Sequence, residues 1–240
     1  MKKTSKVAKY KQEETWVDFN QNVKLTSKQQ ALNELVKKNK ITLVTGPAGT
    51  AKTFTACYAA SELLRDGLIK KIYITKPTET IGSHDLGALP GTLDEKLNVY
   101  LECFIHNFKE IIEGHHLKNL LEEKIIEFKP VQYIRGLTFK DCVLIIDESQ
   151  TFDIKELMAI VTRLGSNCKM LFLGDVNQND IDKKYVGLNI FKEIIQNLPL
   201  VSAFEFERKD IMRDPLLIEI TDRYEKIKDN GQLSQTKKNT

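Results

Sequence analysis

Gly46-Pro-Ala-Gly-Thr-Ala-Lys52-Thr53 follows the short apolar run Ile41-Thr-Leu-Val-Thr45 and opens an amphipathic segment from Thr53 to Leu64. Strand, glycine-rich loop and helix start come in that order, and the order points to an α/β fold built around an anion site. Triphosphate oxygens need many short N–H contacts. A loop poor in side chains lets successive backbone amides point inward at a helix N-terminus, where the helix dipole also favours anions. In the pattern G-x-x-x-x-G-K-[ST], Lys52 would reach the β- and γ-phosphates and Thr53 would give a hydroxyl to Mg²⁺. The loop residues Gly46, Pro47, Ala48, Gly49, Thr50 and Ala51 would cradle the phosphates. Ala51 stands where the second glycine of the pattern normally sits, and a helix-like backbone there would accommodate its methyl group. A glycine-rich turn before a helix is the plain alternative.

Composition sets outer limits only. A chain of 240 residues supports one or two domains with a buried core. Hydrophobic residues at 41% and charged residues at 29% are ordinary for a globular protein, and a net charge of +3 permits a nucleic-acid patch without arguing for one. Cys57, Cys103, Cys142 and Cys168 lie far apart with no C-x-x-C pair, which suggests buried thiols in a reducing compartment. No apolar run is long enough to span a membrane, and the lysine-rich start lacks an apolar signal core, so a cytoplasmic protein is expected.

Along the chain, residues 1–20 read as a flexible basic tail, 21–229 as one domain and 230–240 as a polar tail. Thr26 can cap a helix whose apolar face would be Ala31, Leu32, Leu35 and Val36. Lys71-Ile-Tyr-Ile-Thr75 reads as a second strand, and 78–92 as a structured loop rich in glycine and proline. A helix from Asp94 to Glu113 carries Leu97, Leu101, Phe104, Ile105, Phe108 and Ile112 as a core stripe. Cys103, His106, His115 and His116 match no zinc spacing, and exposed histidines near a helix end account for them. Ala203 to Glu207 alternates like an exposed strand, and Pro215 to Lys228 forms a last helix.

Two further runs carry chemistry. Cys142-Val-Leu-Ile-Ile ends in Asp147-Glu148, as a buried parallel strand would that delivers carboxylates to the ligand-binding edge of an open α/β sheet. Asp147 could hold Mg²⁺, and Glu148 could polarise an attacking water. Lys169-Met-Leu-Phe-Leu-Gly174 is a further strand, and Gln178 just beyond it could detect a γ-phosphate, since its amide both donates and accepts. A polar strand-to-loop transition is the alternative there.

These landmarks resemble the PhoH-like P-loop ATPases, a family with a single RecA-type domain of the superfamily 1 helicase kind. The resemblance runs from about Thr26 to Tyr224 through GPAGTAKT, IIDESQ, LPGTLDEK at 89–96, YIRGLTF at 133–139, LMAIVTRLG at 157–165, GDVNQ at 174–178 and IMRDPL at 211–216. It implies a RecA-like three-layer sandwich with a mainly parallel sheet. It also implies that Gln29 reads the adenine edge, that Thr75 with Lys76-Pro77 contacts nucleic acid, and that Arg163 and Arg213 lie near the γ-phosphate or a subunit boundary. Ala51 and the loop around Ser83-His84-Asp85 depart from the family form, and no PIN-type or RNA-binding module is seen in the chain.

The expectation is therefore an ATP·Mg²⁺ site with hydrolysis by activated water, coupled in helicase fashion to RNA or single-stranded DNA. By the resemblance, copies assemble into a hexameric ring in which a neighbour supplies the second wall. A cation beyond Lys52 and Mg²⁺ would come across the boundary, first Arg213 and then Arg163, unless Arg213 merely pairs with Asp210 or Asp214. A nucleotide-gated binding module with little turnover and a small-molecule kinase are the other readings.

Overall fold

The computed structural model describes residues 17–77, 93–175 and 187–229. Eight α-helices and six strands lie within them in the order α1 (Ser27–Lys38), β1 (Ile41–Thr45), α2 (Lys52–Arg65), β2 (Lys71–Thr75), α3 (Leu93–Ile111), α4 (Gly114–Glu122), β3 (Ile126–Phe128), α5 (Val131–Ile134), β4 (Cys142–Ile146), α6 (Ile154–Val161), β5 (Cys168–Gly174), α7 (Gly187–Ile195), β6 (Val201–Glu205) and α8 (Pro215–Asp229). The strands form one sheet ordered β3-β2-β4-β5-β1-β6, with every pairing parallel. One strand, β5, separates β1 from β4, so the loop after β1 and the carboxylates after β4 face each other across the end of β5 at one sheet edge.

Alternation along the strands builds two core layers. Val44, Ile72, Ile74, Val143, Ile145, Leu171 and Leu173 face α1, α2, α3 and α4, where Leu32, Ala56, Leu63, Phe104 and Phe108 meet them. Leu43, Leu144, Ile146, Met170 and Phe172 face the other way, against Leu157 and Ile160 of α6 and Phe191 and Ile195 of α7. Helices on both faces of a parallel sheet make the expected three-layer α/β sandwich. The central strands β1 and β4 are buried at all five positions, which is why their sequences read as continuous apolar runs.

Several expectations are corrected. Within 1–20, the part expected to be loose, Val17 is buried, Phe19 bridges to Ile112 and packs edge-on against Tyr58, and Arg65 lies over the Phe19 ring. Two apolar residues in alternation are enough to anchor 17–20 to the α3 end. In α1 the buried face is Gln29, Leu32, Asn33 and Val36, while Ala31 is exposed. The two polar residues turn inward with partners: Asn33 Nδ2 donates to Glu62 Oε2 at 2.7 Å while its Oδ1 is buried without one, and Gln29 completes a capping box with Thr26. Cys57, Cys142 and Cys168 are buried, but Cys103 is exposed, beside Lys76. The edge strand β6 covers 201–205 rather than 203–207, and Phe206 leaves it to cross the loop after β1. His106 lies within α3, and His115 and His116 open α4. Residues 1–16, 78–92 and 230–240 lie outside the described residues.

Candidate nucleotide site

The loop after β1 turns back over the N-terminus of α2. Gly46 has φ 145°, and a Cβ on it would lie 2.6 Å from the Phe206 carbonyl oxygen, whose residue donates its N–H to Thr45 O at 2.8 Å. Only glycine allows that backbone crossing. Gly49, at φ 85°, has the Arg213 side chain against it, with 2.7 Å between a would-be Cβ and Arg213 Cδ. Thr50 is buried and donates to Pro47 O, which tightens the loop. Ala51 is not helix-like as expected: it has φ 60° and ψ 30°, the left-handed region, and is the N-cap residue of α2 without a side-chain cap. The loop must reverse direction there before the helix starts, a geometry glycine meets without strain and alanine does not.

Lys52 lies across the loop, its Nζ donating to Gly46 O at 2.7 Å and Pro47 O at 2.9 Å. Burial lowers its pKa, while Asp175, Asp147 and Glu148 pull it back up. Thr53 Oγ1 donates to Asp147 Oδ2 at 3.1 Å, which joins the β1 loop to the end of β4. Asp147 is fixed by its N–H to Thr75 O and accepts the Glu148 N–H on its other oxygen at 3.0 Å. Burial, and then the Glu148 charge, raise the Asp147 carboxyl to about 6. Glu148 sits at φ 51° and is exposed, projected from the strand end toward the cavity.

These groups border a cavity of about 940 Å³ whose other walls include Gln29, Met212 and Arg213, and His106, Asn107 and Glu110 of α3. The segment after β6 closes one side, since Met212 N–H donates to Gly49 O at 3.0 Å and Gln29 Nε2 donates to Met212 Sδ at 3.4 Å. A phosphate loop, a Thr–Asp pair and an exposed glutamate thus converge on one cavity at the carboxyl edge of a parallel sheet, as in P-loop nucleotidases of the RecA-like type. The family model described as PhoH-like protein matches residues 23–225. The chain belongs to the PhoH-like family. It is 37% identical over 192 residues to a PhoH-like protein of Bacillus subtilis (strain 168), covering 80% of this chain and 60% of that protein. It is 32% identical over 202 residues to a PhoH-like protein of Synechocystis sp., covering 84% and 61% respectively. The chain therefore spans about three fifths of the length of these relatives. Among solved structures it is similar to the SWI2/SNF2 ATPase core of Sulfolobus solfataricus in complex with dsDNA, with a TM-score of 0.47 and 14% identity over 80% of this chain and 47% of that one.

In this PhoH-like chain a divalent ion fits the donor set. Thr53 Oγ1 and Asp147 Oδ2 are adjacent oxygens, and the buried Asp147 carboxyl stays raised beside Glu148 even with Lys52 near, so a divalent cation would be favoured there. Of the remaining expected residues, Gln29 reaches the cavity, but it is 3% exposed and its Oε1 accepts the Thr26 N–H. Thr75 is fully buried, so its side chain is not presented to a nucleic acid; Lys76 and Pro77 follow it at the same edge. Arg213 lies on the loop of its own chain. Its sequence neighbours are engaged elsewhere, Asp210 with Lys28 and Asp214 with the Leu216 N–H. Arg163 is at the opposite edge of the sheet, where its carbonyl accepts the Phe139 N–H ahead of β4. The seven residues of β5, at about 3.3 Å each, put about 20 Å between that edge and the phosphate loop. Gln178 lies outside the described residues.

Gln150 and Met212 are the site residues that sequence reasoning missed. Gln150 donates from Nε2 to Glu148 Oε2 at 2.7 Å and accepts the Asp175 N–H on Oε1 at 3.1 Å. A polar amide two residues beyond a paired carboxylate was the available signal. Nothing local marks Met212, which meets Gln29 across 183 residues of sequence.

Proposed function

We propose that the chain is a Mg²⁺-dependent ATPase, active in the cytoplasm as a homo-oligomeric, helicase-like protein that acts on RNA or single-stranded DNA. Its ATPase unit would take in 17–20, which pack against α3, and run on to 229. The Thr53–Asp147 contact carries this reading, because it brings the anion loop and the carboxylate strand to one cation site with Lys52 and Glu148 beside it. Lys52 is poised to neutralise β- and γ-phosphate oxygens, exchanging its loop carbonyls for them. Glu148 takes the proton of a water as the water oxygen bonds to the γ-phosphorus, and the bond to the β-bridging oxygen breaks to leave ADP and phosphate. A bound Mg²⁺, held by Thr53 and Asp147, would supply further charge neutralisation on the same oxygens. Arg213, on its own loop, adds a cation to the phosphates in cis.

Lys76 and Pro77, which follow β2 at the carboxyl edge of the sheet, are the nucleic-acid candidates that the family resemblance favours. Self-assembly draws support from two features. Arg163 lies about 20 Å from its own phosphate loop, so any role at a phosphate would need a second copy of the chain. Leu216, Ile220 and Ile227 of α8 are exposed, spaced along one side of the helix. A ring, six-membered by the family resemblance, would cover that stripe.

Phosphate release measured with Mg²⁺ and ATP, with and without single-stranded RNA or DNA, tests the reading. Release that nucleic acid stimulates is expected. Release at background under every condition would contradict hydrolysis and favour the nucleotide-gated binding module, the reading that the left-handed Ala51 keeps open.

A further inference from the structure

We infer that Gln150 is a positioning residue for hydrolysis, a tether that holds the Glu148 carboxylate to the end of β5. This rests on the reading of Glu148 as the group that activates water. Glu148 leaves β4 in the left-handed region at φ 51°, and its side chain is exposed at the cavity. Its backbone is well held: Ser149 Oγ donates to Ile146 O, and the Thr151 N–H and Oγ1 both donate to Glu148 O. A long, exposed glutamate side chain on such a turn still has several rotamers, and only some aim at a water beside the γ-phosphate. The Gln150 amide restricts them, donating to Glu148 Oε2 at 2.7 Å.

The other end of the same amide is fixed, because Gln150 is buried and its Oε1 accepts the Asp175 N–H at 3.1 Å. Gly174 makes room for it: a Cβ there would lie 3.0 Å from Gln150 Oε1 and 2.8 Å from Leu188 Cδ2. One planar amide therefore spans from the general base to the first residue beyond β5. The amide thus fixes the Glu148 carboxylate relative to the end of β5, which itself is held by its pairing with β4 and β1.

Gln150→Met keeps the length of the side chain and removes both hydrogen bonds. At saturating ATP and Mg²⁺ its single-turnover rate should fall by about 10²-fold, the cost of a misplaced reacting group, with the Kd for ATP unchanged within about threefold. In a Glu148→Gln background the same substitution should cost less than about twofold, since residues acting as one unit are not additive. Gly174→Ala, which crowds the amide without replacing it, should lower the rate in the same way and keeps the test open if Gln150→Met does not fold. Parental rates in a folded Gln150→Met or Gly174→Ala protein would overturn the tether. So would a double variant that loses the product of the two single losses. A Glu148→Gln protein that hydrolyses ATP at the parental rate would instead remove the role of Glu148 itself, and the tether with it.

Discussion

At Asp147, burial and the neighbouring Glu148 charge work against ionisation and lift the carboxyl from its ordinary 3.8 to about 6. The folded chain then holds the proton more tightly than the unfolded chain, so the ionised group costs stability at neutral pH. That cost disappears as pH falls from about 6 toward 4. Without divalent ions, Asp147→Asn should melt higher than the parent at pH 7.5, and the difference should vanish near pH 4. Added Mg²⁺ should raise the melting temperature of the parent and not of the variant. Ala51 poses the opposite problem, a backbone cost without a charge: its left-handed φ of 60° is one that glycine adopts freely. Ala51→Gly should therefore stabilise the chain by about 0.5–1 kcal/mol in denaturant unfolding, the relief of strain less the extra chain entropy of glycine. The sequence located Lys52, Thr53, Asp147 and Glu148 because each belongs to a short motif with local spacing. It could not show that Ala51 is left-handed, since alanine is also the best helix former and nothing adjacent distinguishes the two roles.

Elements buried on both faces were the legible ones. Ile41–Thr45 and Cys142–Ile146, buried at all five positions, were readable to the residue, and Lys71–Thr75 was readable from its β-branched and aromatic residues although Lys71 and Tyr73 are only partly buried. At the edges this signal fails: β3 has three residues with Glu127 in the middle, and β6 alternates into Phe206, which belongs to the loop crossing and not to the strand. In α1 the apolar pattern missed part of the buried face, since Gln29 turns inward in a capping box with Thr26 and Asn33 turns inward toward Glu62, a partner that no local pattern reveals. The end of α1 also depends on a distant residue. Lys169 of β5 donates to the carbonyls of Val36, Lys37 and Asn39 at 2.9, 2.8 and 2.7 Å, closing groups that a helix end leaves open. Lys169→Met should cost about 1–3 kcal/mol in equilibrium unfolding, with ATP binding retained, because the loss is confined to a helix end opposite the phosphate loop.

Across the whole molecule the parts of the site come from chain segments far apart, and the parallel order of the sheet gathers them at one edge. The α/β class followed from the strand-loop-helix order and the three-layer sandwich from the family resemblance, whereas the closure of the cavity by Met212 and Arg213 needed the return of the chain past β6. That return separates the two arginines, placing Arg213 over its own loop, while Arg163 stays at the far edge of the sheet. Arg163→Ala and Lys52→Ala proteins should each be nearly inactive, and co-assembled they should regain part of the phosphate release. Verified mixed assemblies that stay inactive would confine Arg163 to a structural role. The most direct measurement is single-turnover hydrolysis by Glu148→Gln at saturating ATP and Mg²⁺, with nucleotide affinity measured alongside. The expected result is unchanged ATP binding with a rate lower by about 10²-fold or more, since the amide keeps the shape but cannot accept the proton. A parental rate would contradict the assignment of Glu148 as the residue that activates water.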